Sequence, residues 1–415
     1  MTTKQFSLVI DSEGKQLSPT NANKAWYLIR KQKAKLITRF PMVIQLFKKI
    51  SPEEIDKSKF TCGIDTGSKH TGIAIVQECK TKIKVILKGT IEHRNDVKKL
   101  IGLRLGQRRY RRNQKRYRPA RFNNRSTRNR KGRIAPSIKQ KKESILRVIN
   151  RLKRYVSIYK YIIEDVLIDI RKIQEPNISS SEYQQSNKLD SNVRMAVMMR
   201  DKFKCQECKR DNVKLEVHHI IPKRLNGNNT IDNLISLCTE CHKNTQGNEE
   251  SFINKYYKLI KGKNIHFSNV QHVMQGKTYF KNELNKLGII QLTTGRDTAN
   301  KRYEWNIPKS HSNDAVVICN NKIRSEQCCI IDWTIKPLRR QSKAKCYEVC
   351  GLTHRDIVSY VTSKRGKITG YIISMYPDKK QVSIRDKDKD WNRIAASKCQ
   401  LINRPNKIRW TESHI

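Results

Sequence analysis

Two cysteine pairs constrain this chain more than any other feature. Cys205 and Cys208 form one C-x2-C, Cys238 and Cys241 form a second, and 29 residues lie between them. Two such knuckles bring four thiolates to tetrahedral geometry, which is what a structural zinc ion requires. A module of about 45 residues, Arg200 to Asn244, has little apolar core of its own. The metal would therefore be part of its folding free energy. A set of free buried thiols is the other reading, and two matched pairs speak against it.

The same module, within LEVHHIIPKRLNGNNTIDNLISLCTECHKN, also holds His218, His219, Asn233 and His242. If four cysteines fill a zinc site, these residues are left over. A structural zinc ribbon has no use for them. Phosphodiester hydrolysis does, because it needs a general base for water and ligands for a divalent ion at the scissile phosphate.

The charge balance narrows the partners. Lys+Arg number 87 against 37 Asp+Glu, a formal net charge of +50. That excess costs self-repulsion unless a polyanion neutralises it, and nucleic acid is the natural counterpart. An anionic membrane surface fits less well, since no apolar run is long enough to span a bilayer. The start, MTTKQFSLVIDSEGKQ, lacks a signal-peptide core, so the twelve cysteines point to a reducing compartment. The expected location is cytoplasmic or organellar and not secreted. A basic RNA-coating protein also satisfies the charge.

The positive charge is concentrated. Arg104 to Arg133 contains 14 basic residues and no acidic one. Such a block is either a disordered basic segment or a helix that folds once a polyanion supplies the counter-charge. Arg108, Arg109, Arg111, Arg112, Arg116 and Arg118 are the candidate phosphate contacts, with Tyr110 and Tyr117 interleaved for stacking or packing.

Scattered carboxylates suggest a second site. CGIDTGSKHTGIAIV puts Asp65 at the end of an apolar strand, beside glycines that allow close approach of a backbone or a phosphate. An Asp before a Gly turn is also ordinary turn chemistry. Glu164 lies on the otherwise apolar run YIIEDVLIDI, where an unpaired charge is costly to bury. Asp165 and Asp169 are lesser candidates there. His311 and Asp314 in IPKSHSNDAVVIC are three apart and share a helix face. Coarser features are a short strand FSLVID, a basic amphipathic helix over 21–37, a strand FPMVIQLF, a helix over 143–162, and several short C-terminal strands.

Together these segments resemble the IscB family, transposon-associated relatives of the large RNA-guided CRISPR effector nucleases. LEVHHIIP…IDNLISLCTECHKN resembles the HNH endonuclease motif, and the Asp65, Glu164 and His311/Asp314 segments resemble a split RuvC nuclease. The resemblance implies a multidomain α/β and α+β chain: a split RNase H-like core, an inserted zinc-binding ββα-metal HNH module, an arginine-rich bridge helix and a small C-terminal β-barrel-like domain. Expected boundaries are 1–55 (PLMP-like), 56–102 (RuvC I), 103–135 (bridge helix), 136–176 (RuvC II), 177–199 (linker), 200–246 (HNH), 247–322 (RuvC III) and 323–415 (target-interaction domain).

By carry-over, His219 is the general base, His218 and His242 bind a catalytic Mg²⁺, and Asn233 orients the loop. Asp65, Glu164 and Asp314, with His311, serve Mg²⁺ in the RuvC site. Arg339 and Arg340 reach a short DNA motif or form a solvated basic turn. The implied protein is a monomeric ribonucleoprotein, an RNA-guided DNA endonuclease in which a separately encoded structured RNA pairs with one strand of duplex DNA. HNH would cut that strand and RuvC the displaced one. The alternatives are a mobile-element or homing HNH endonuclease that reads DNA directly, and a non-catalytic RNA-binding zinc protein.

Overall fold

The computed structural model describes residues 4–79, 82–114, 134–165, 189–211, 213–263, 274–319, 323–338, 348–362, 366–386, 389–405 and 408–412. The N-terminal unit is a four-stranded sheet of β1 (Phe6–Ile10), β2 (Gln16–Asn21), β3 (Ala34–Thr38) and β4 (Val43–Leu46), in the order β2-β1-β4-β3. One helix, α1 (Ala22–Arg30), packs on it through Ala22 and Ala25. The helix expected over 21–37 stops at Arg30, because Gln32 takes a left-handed φ of 54°. Beyond that turn the chain pairs as a strand, Ala34 with Leu46 and Leu36 with Ile44.

The core strands are β5 (Lys59–Thr66), β6 (His70–Glu78), β7 (Ile83–Glu92) and β8 (Ile158–Glu164). Between β7 and β8 come α2 (Val97–Asn113) and α3 (Pro136–Leu152). The helix expected over 143–162 therefore begins earlier and ends at Leu152, and its last residues belong to β8. Helix α3 has proline at its N-terminus, where the missing N–H costs nothing, and buries Ile138, Ile145, Val148, Ile149 and Leu152 along one stripe. Each such side chain contributes about 1.5–3 kcal/mol when fully buried.

The cysteine module contains α4 (Leu189–Arg200), a hairpin of β9 (Leu215–His219) and β10 (Leu234–Cys238), then α5 (Thr239–Thr245) and α6 (Glu249–Ile260). Part of the 177–199 linker is helical, and its buried Ala196 and Val197 seat it beside the hairpin. Past the expected boundary at 246, Tyr256 and Ile260 of α6 share a core with Ile235, Leu237 and the buried cysteines.

The chain returns through α7 (Lys277–Asn285), β11 (Ile289–Thr293), α8 (Gly295–Glu304), α9 (His311–Ile318) and β12 (Asp332–Pro337). The C-terminal strands are β13 (Glu348–Val349), β14 (Leu352–Thr353), β15 (Ile357–Thr362), β16 (Gly366–Tyr376), β17 (Gln381–Arg385), β18 (Asp390–Ala395), β19 (Gln400–Asn403) and β20 (Ile408–Glu412). The central sheet has the order β11-β8-β5-β6-β7-β12-β20. Strands β12 and β20 thus belong to the core, not to a domain starting at residue 323. Among the described residues the C-terminal strands form an open sheet, β18-β17-β16-β15-β19, where a barrel is the expectation.

Alternation along β5 separates the two faces of the sheet. Phe60, Cys62 and Ile64 pack on the α3 side, and the opposite face carries α9. Helix α9 lies so close that a Cβ on Gly63 would come 1.9 Å from the Ala315 carbonyl oxygen, and one on Gly72 would come 1.8 Å from that of His311. The glycines flanking Asp65 therefore admit a backbone.

Candidate functional site

The same alternation brings the carboxylates together. Asp65 falls on the face of Gly63, toward α9. Strand β8 runs parallel to β5 with Ile163 opposite Ile64, so Glu164 stands next to Asp65 on that face. The Thr66 hydroxyl donates to the Glu164 carbonyl at 3.2 Å, fixing this end of the pair. From α9, His311 Nδ1 lies 2.7 Å from Asp65 Oδ2. Asp314, one turn on, accepts from Arg302 Nη1 of α8 at 2.7 Å.

The electrostatics fit a cation. Burial pushes the Glu164 carboxyl up to about 8, and the charges of Asp65 and Asp314 add to the effect. Burial also raises Asp314, although Arg302 opposes that shift. The hydrogen bond to Asp65 raises His311. Asp65, Glu164 and Asp314, two of them raised, form a donor set that a divalent ion relieves, with oxygen donors of the kind Mg²⁺ takes. Asp165, by contrast, forms ion pairs with Lys277 and Lys281 at the other side of β8. Asp169 lies outside the described residues. Arg302 and Thr298, whose hydroxyl side chain lowers Glu164, were missed by sequence reasoning. GRDTANKRYEW carries no mark that distinguishes them from an exposed polar helix.

In the cysteine module, the Sγ atoms of Cys205, Cys208, Cys238 and Cys241 all lie within 4.8 Å of one another. Burial pushes Cys205 and Cys241 up. Burial acts on Cys208 too, but hydrogen bonds from Arg210 outweigh it and bring the thiol down to about 6. Four crowded thiols ionise together only around a cation, so the set fits Zn²⁺. Among the described residues it is the one donor group this compact. The acids of the core sheet and the histidines of the hairpin are more loosely spaced.

His218 and Glu216 share a face of β9, which pairs antiparallel with β10. His218 and His242 have ring centroids 5.1 Å apart, and His242 Nδ1 contacts Glu216 Oε2 at 2.6 Å. Burial, then the nearby His242, holds His218 down to about 4, so the ring is neutral. Its Nε2 is buried without a hydrogen-bond partner, and a metal ion is an electrophile that this nitrogen would accept. His219, on the opposite face, places Nε2 2.8 Å from Asn229 Oδ1. Asn233 Oδ1 accepts from the Ile221 amide at 2.8 Å, while Nδ2 donates to the carbonyls of Ile221 (3.1 Å) and Asn228 (2.9 Å). It closes the loop between the strands. Glu216 was also missed, and the motif reading skips it because it lies two residues before His218.

Sequence reasoning also overlooked a buried clamp. Arg200 and Asp201 pair at 3.0 Å, the guanidinium donates to the carbonyls of Ile231 (2.6 Å) and Leu234 (2.7 Å), and Asp201 accepts from the Ser236 amide at 2.9 Å. This arrangement fixes the loop carrying Asn233 to the second strand.

The arginine-rich helix α2 begins at Val97, six residues before its expected start, and its described residues from Ile101 onward are exposed. Arg108, Arg109, Arg111 and Arg112 form no ion pair among the described residues. Arg116, Arg118, Arg339 and Arg340 lie outside the described residues. No helix among the described residues is long and apolar enough to cross a membrane.

Comparison with known proteins finds two family matches in the chain. Residues 205–247 match the HNH endonuclease family, and residues 7–186 match the RRXRR protein family. Arg108 to Arg112 spell the R-R-x-R-R of that description. No curated protein matches the chain. Similar solved structures include Streptococcus thermophilus Cas9 in complex with the AGAA PAM (12% identity, TM-score 0.24, 57% of this chain and 32% of that one). Another is the Type II-C Cas9 enzyme from Actinomyces naeslundii (10% identity, TM-score 0.20, 66% of this chain and 43% of that one). The chain spans about a third of the length of the first of these. It thus carries an HNH endonuclease module, built around four clustered cysteines, beside an RRXRR region.

Proposed function

We propose that this protein is an RNA-guided DNA endonuclease of the IscB type with two phosphodiester-cleaving sites. The observation that carries the reading is the convergence of Asp65, Glu164, His311 and Asp314, from three distant segments, at one end of a sheet in a chain that also bears an HNH module.

In the HNH module, His219 takes the proton of the attacking water. Asn229 Oδ1 only accepts, so His219 Nε2 carries its hydrogen and Nδ1 keeps the lone pair that acts as base. His218 and His242 would hold a divalent ion, and Glu216 and Asn233 fix His242 and the loop. In the core-sheet site, Asp65, Glu164 and Asp314 would hold Mg²⁺. His311, oriented by Asp65, stands at the exposed rim where a water or leaving group can exchange a proton with it. The divalent ions supply charge stabilisation at the phosphate when bound. The four cysteines hold structural Zn²⁺. Exposed arginines on α2 neutralise phosphates of a structured guide RNA, and HNH cuts the RNA-paired strand while the RuvC-like site cuts the displaced one. Arg339 and Arg340 contact a short flanking DNA motif.

The test is to purify the full chain with the RNA it carries and sequence that RNA. One structured species with a variable end supplies the target for a Mg²⁺-dependent cleavage assay. Heterogeneous RNA, with cleavage that follows DNA sequence alone, favours a direct DNA reader.

A further inference from the structure

A second acid-free basic stretch lies outside both nuclease sites. Ala22 to Lys49 contains eight lysines and arginines and no aspartate or glutamate, and all eight are exposed. Lys48 and Lys49 reach Glu54 and Glu13. Among the described residues, Lys24, Arg30, Lys31, Lys33, Lys35 and Arg39 have no ion pair.

Large apolar side chains are exposed among these charges. Trp26 and Tyr27 on α1 are 36% and 52% exposed, and Phe47 is 57% exposed. Burial of Ala22 and Ala25 turns the aromatic side of α1 outward. The Arg39 guanidinium lies 6.0 Å from the Trp26 ring and 5.7 Å from the Phe40 ring, holding cation and aromatics together. Strand β3 is the sheet's edge and exposes Lys35, Leu36 and Ile37 in succession. Flat aromatic faces among unpaired cations suit unstacked bases and their phosphates, whereas a protein partner would have to supply many acids.

The location indicates which strand. The N-terminal unit packs on the α3 face of the sheet, where Leu8, Ile10 and Val43 share a core with Phe60, Ile64 and Ile149, and the Ser18 hydroxyl accepts from Gln77 Nε2 at 3.0 Å. Gln77 pairs with Phe60, five residues along β5 from Asp65, or about 16 Å at the usual strand rise. The unit lies across the sheet from the carboxylates, which face α9, so its surface does not position the phosphate they would cut. It suits a partner that stays bound throughout.

We propose that this face of the N-terminal unit binds unpaired nucleotides of RNA, with Trp26 and Tyr27 stacking on bases and the surrounding lysines and arginines meeting phosphates. The inference rests on the RNA-guided reading for the source of the RNA, but its binding chemistry is independent of cleavage. The test uses the full-length protein in magnesium-free buffer, with a 30-nucleotide uridine RNA and a thymidine DNA of equal length as probes. Ultraviolet crosslinking should mark Trp26 and Tyr27 with uridine. W26A/Y27A should weaken RNA binding tenfold or more without changing the salt dependence, because no charge is lost. K33E/K35E should reduce that salt dependence and, since both lysines are exposed, leave the melting temperature unchanged. Y27A alone, at the more exposed aromatic, should weaken RNA binding without lowering the melting temperature. Unchanged RNA affinity in W26A/Y27A, or crosslinks to the DNA probe alone, would overturn the proposal. RNA binding here without any guided cleavage would leave it standing and sink the nuclease reading instead.

Discussion

His311 Nδ1 and Asp65 Oδ2 lie 2.7 Å apart although 246 residues separate them in the chain. The contact depends on α9 sitting on glycines of β5 and β6. A side chain at Gly72 would push the helix away, since its Cβ would overlap the His311 carbonyl. G72A should therefore lower cleavage of the displaced strand while leaving HNH cleavage within a few-fold. Strand-resolved gels on the two products check this.

Glu164 gives a pH prediction. Its carboxyl is raised from an ordinary 4.5 to about 8. Between those values the folded protein binds more protons than the unfolded chain, so stability falls as pH rises through that window. In magnesium-free buffer the melting temperature should drop from pH 6 to pH 8, and E164Q should abolish most of the drop. Added Mg²⁺ should restore the wild-type value at pH 8. Equal slopes for both proteins would show that Glu164 is already ionised.

Arg302 bears on the same site through Asp314. The pair is almost entirely buried, and its guanidinium opposes the upward shift that burial imposes on the acid. R302A should move the acidic limb of the displaced-strand pH–rate profile to higher pH. Removing one partner of such a buried pair costs about 3–5 kcal/mol, so thermal stability should fall as well.

How much of this was legible in the sequence follows from which contacts are local. The four cysteines sit at fixed short spacings and announce themselves. So does Asp65, because apolar alternation runs straight up to it. Glu164 was ambiguous with Asp165 until β8 showed them on opposite faces, one toward Asp314 and the other toward Lys277 and Lys281. Arg302, Glu216 and the Arg200–Asp201 clamp were not legible. Each is an ordinary polar residue whose role comes from tertiary approach, and neither spacing nor propensity records that. The overlong helix over 21–37 failed because Gln32 adopts a positive φ with no glycine or proline to signal it.

Zinc should govern the module separately from the core. C238S should lower bound zinc below one ion per chain, read by elemental analysis. Amide exchange should then rise across β9 and β10 while β5 to β7 stay protected. Structural zinc supplies about 10–16 kcal/mol in small metal-dependent folds, which is more than this module's own core can replace.

The most direct test of the central claim is strand-resolved cleavage of a guide-matched duplex by the RNA-loaded wild-type protein, H219A and D65A, with Mg²⁺ present. Two independent sites predict that the wild type cuts both strands. H219A should lose the RNA-paired strand by roughly 10²–10⁴-fold and keep the displaced one. D65A should show the reverse pattern. If either substitution abolishes both cuts, or if neither changes any cut, the assignment of two separate nuclease sites to these residues is contradicted.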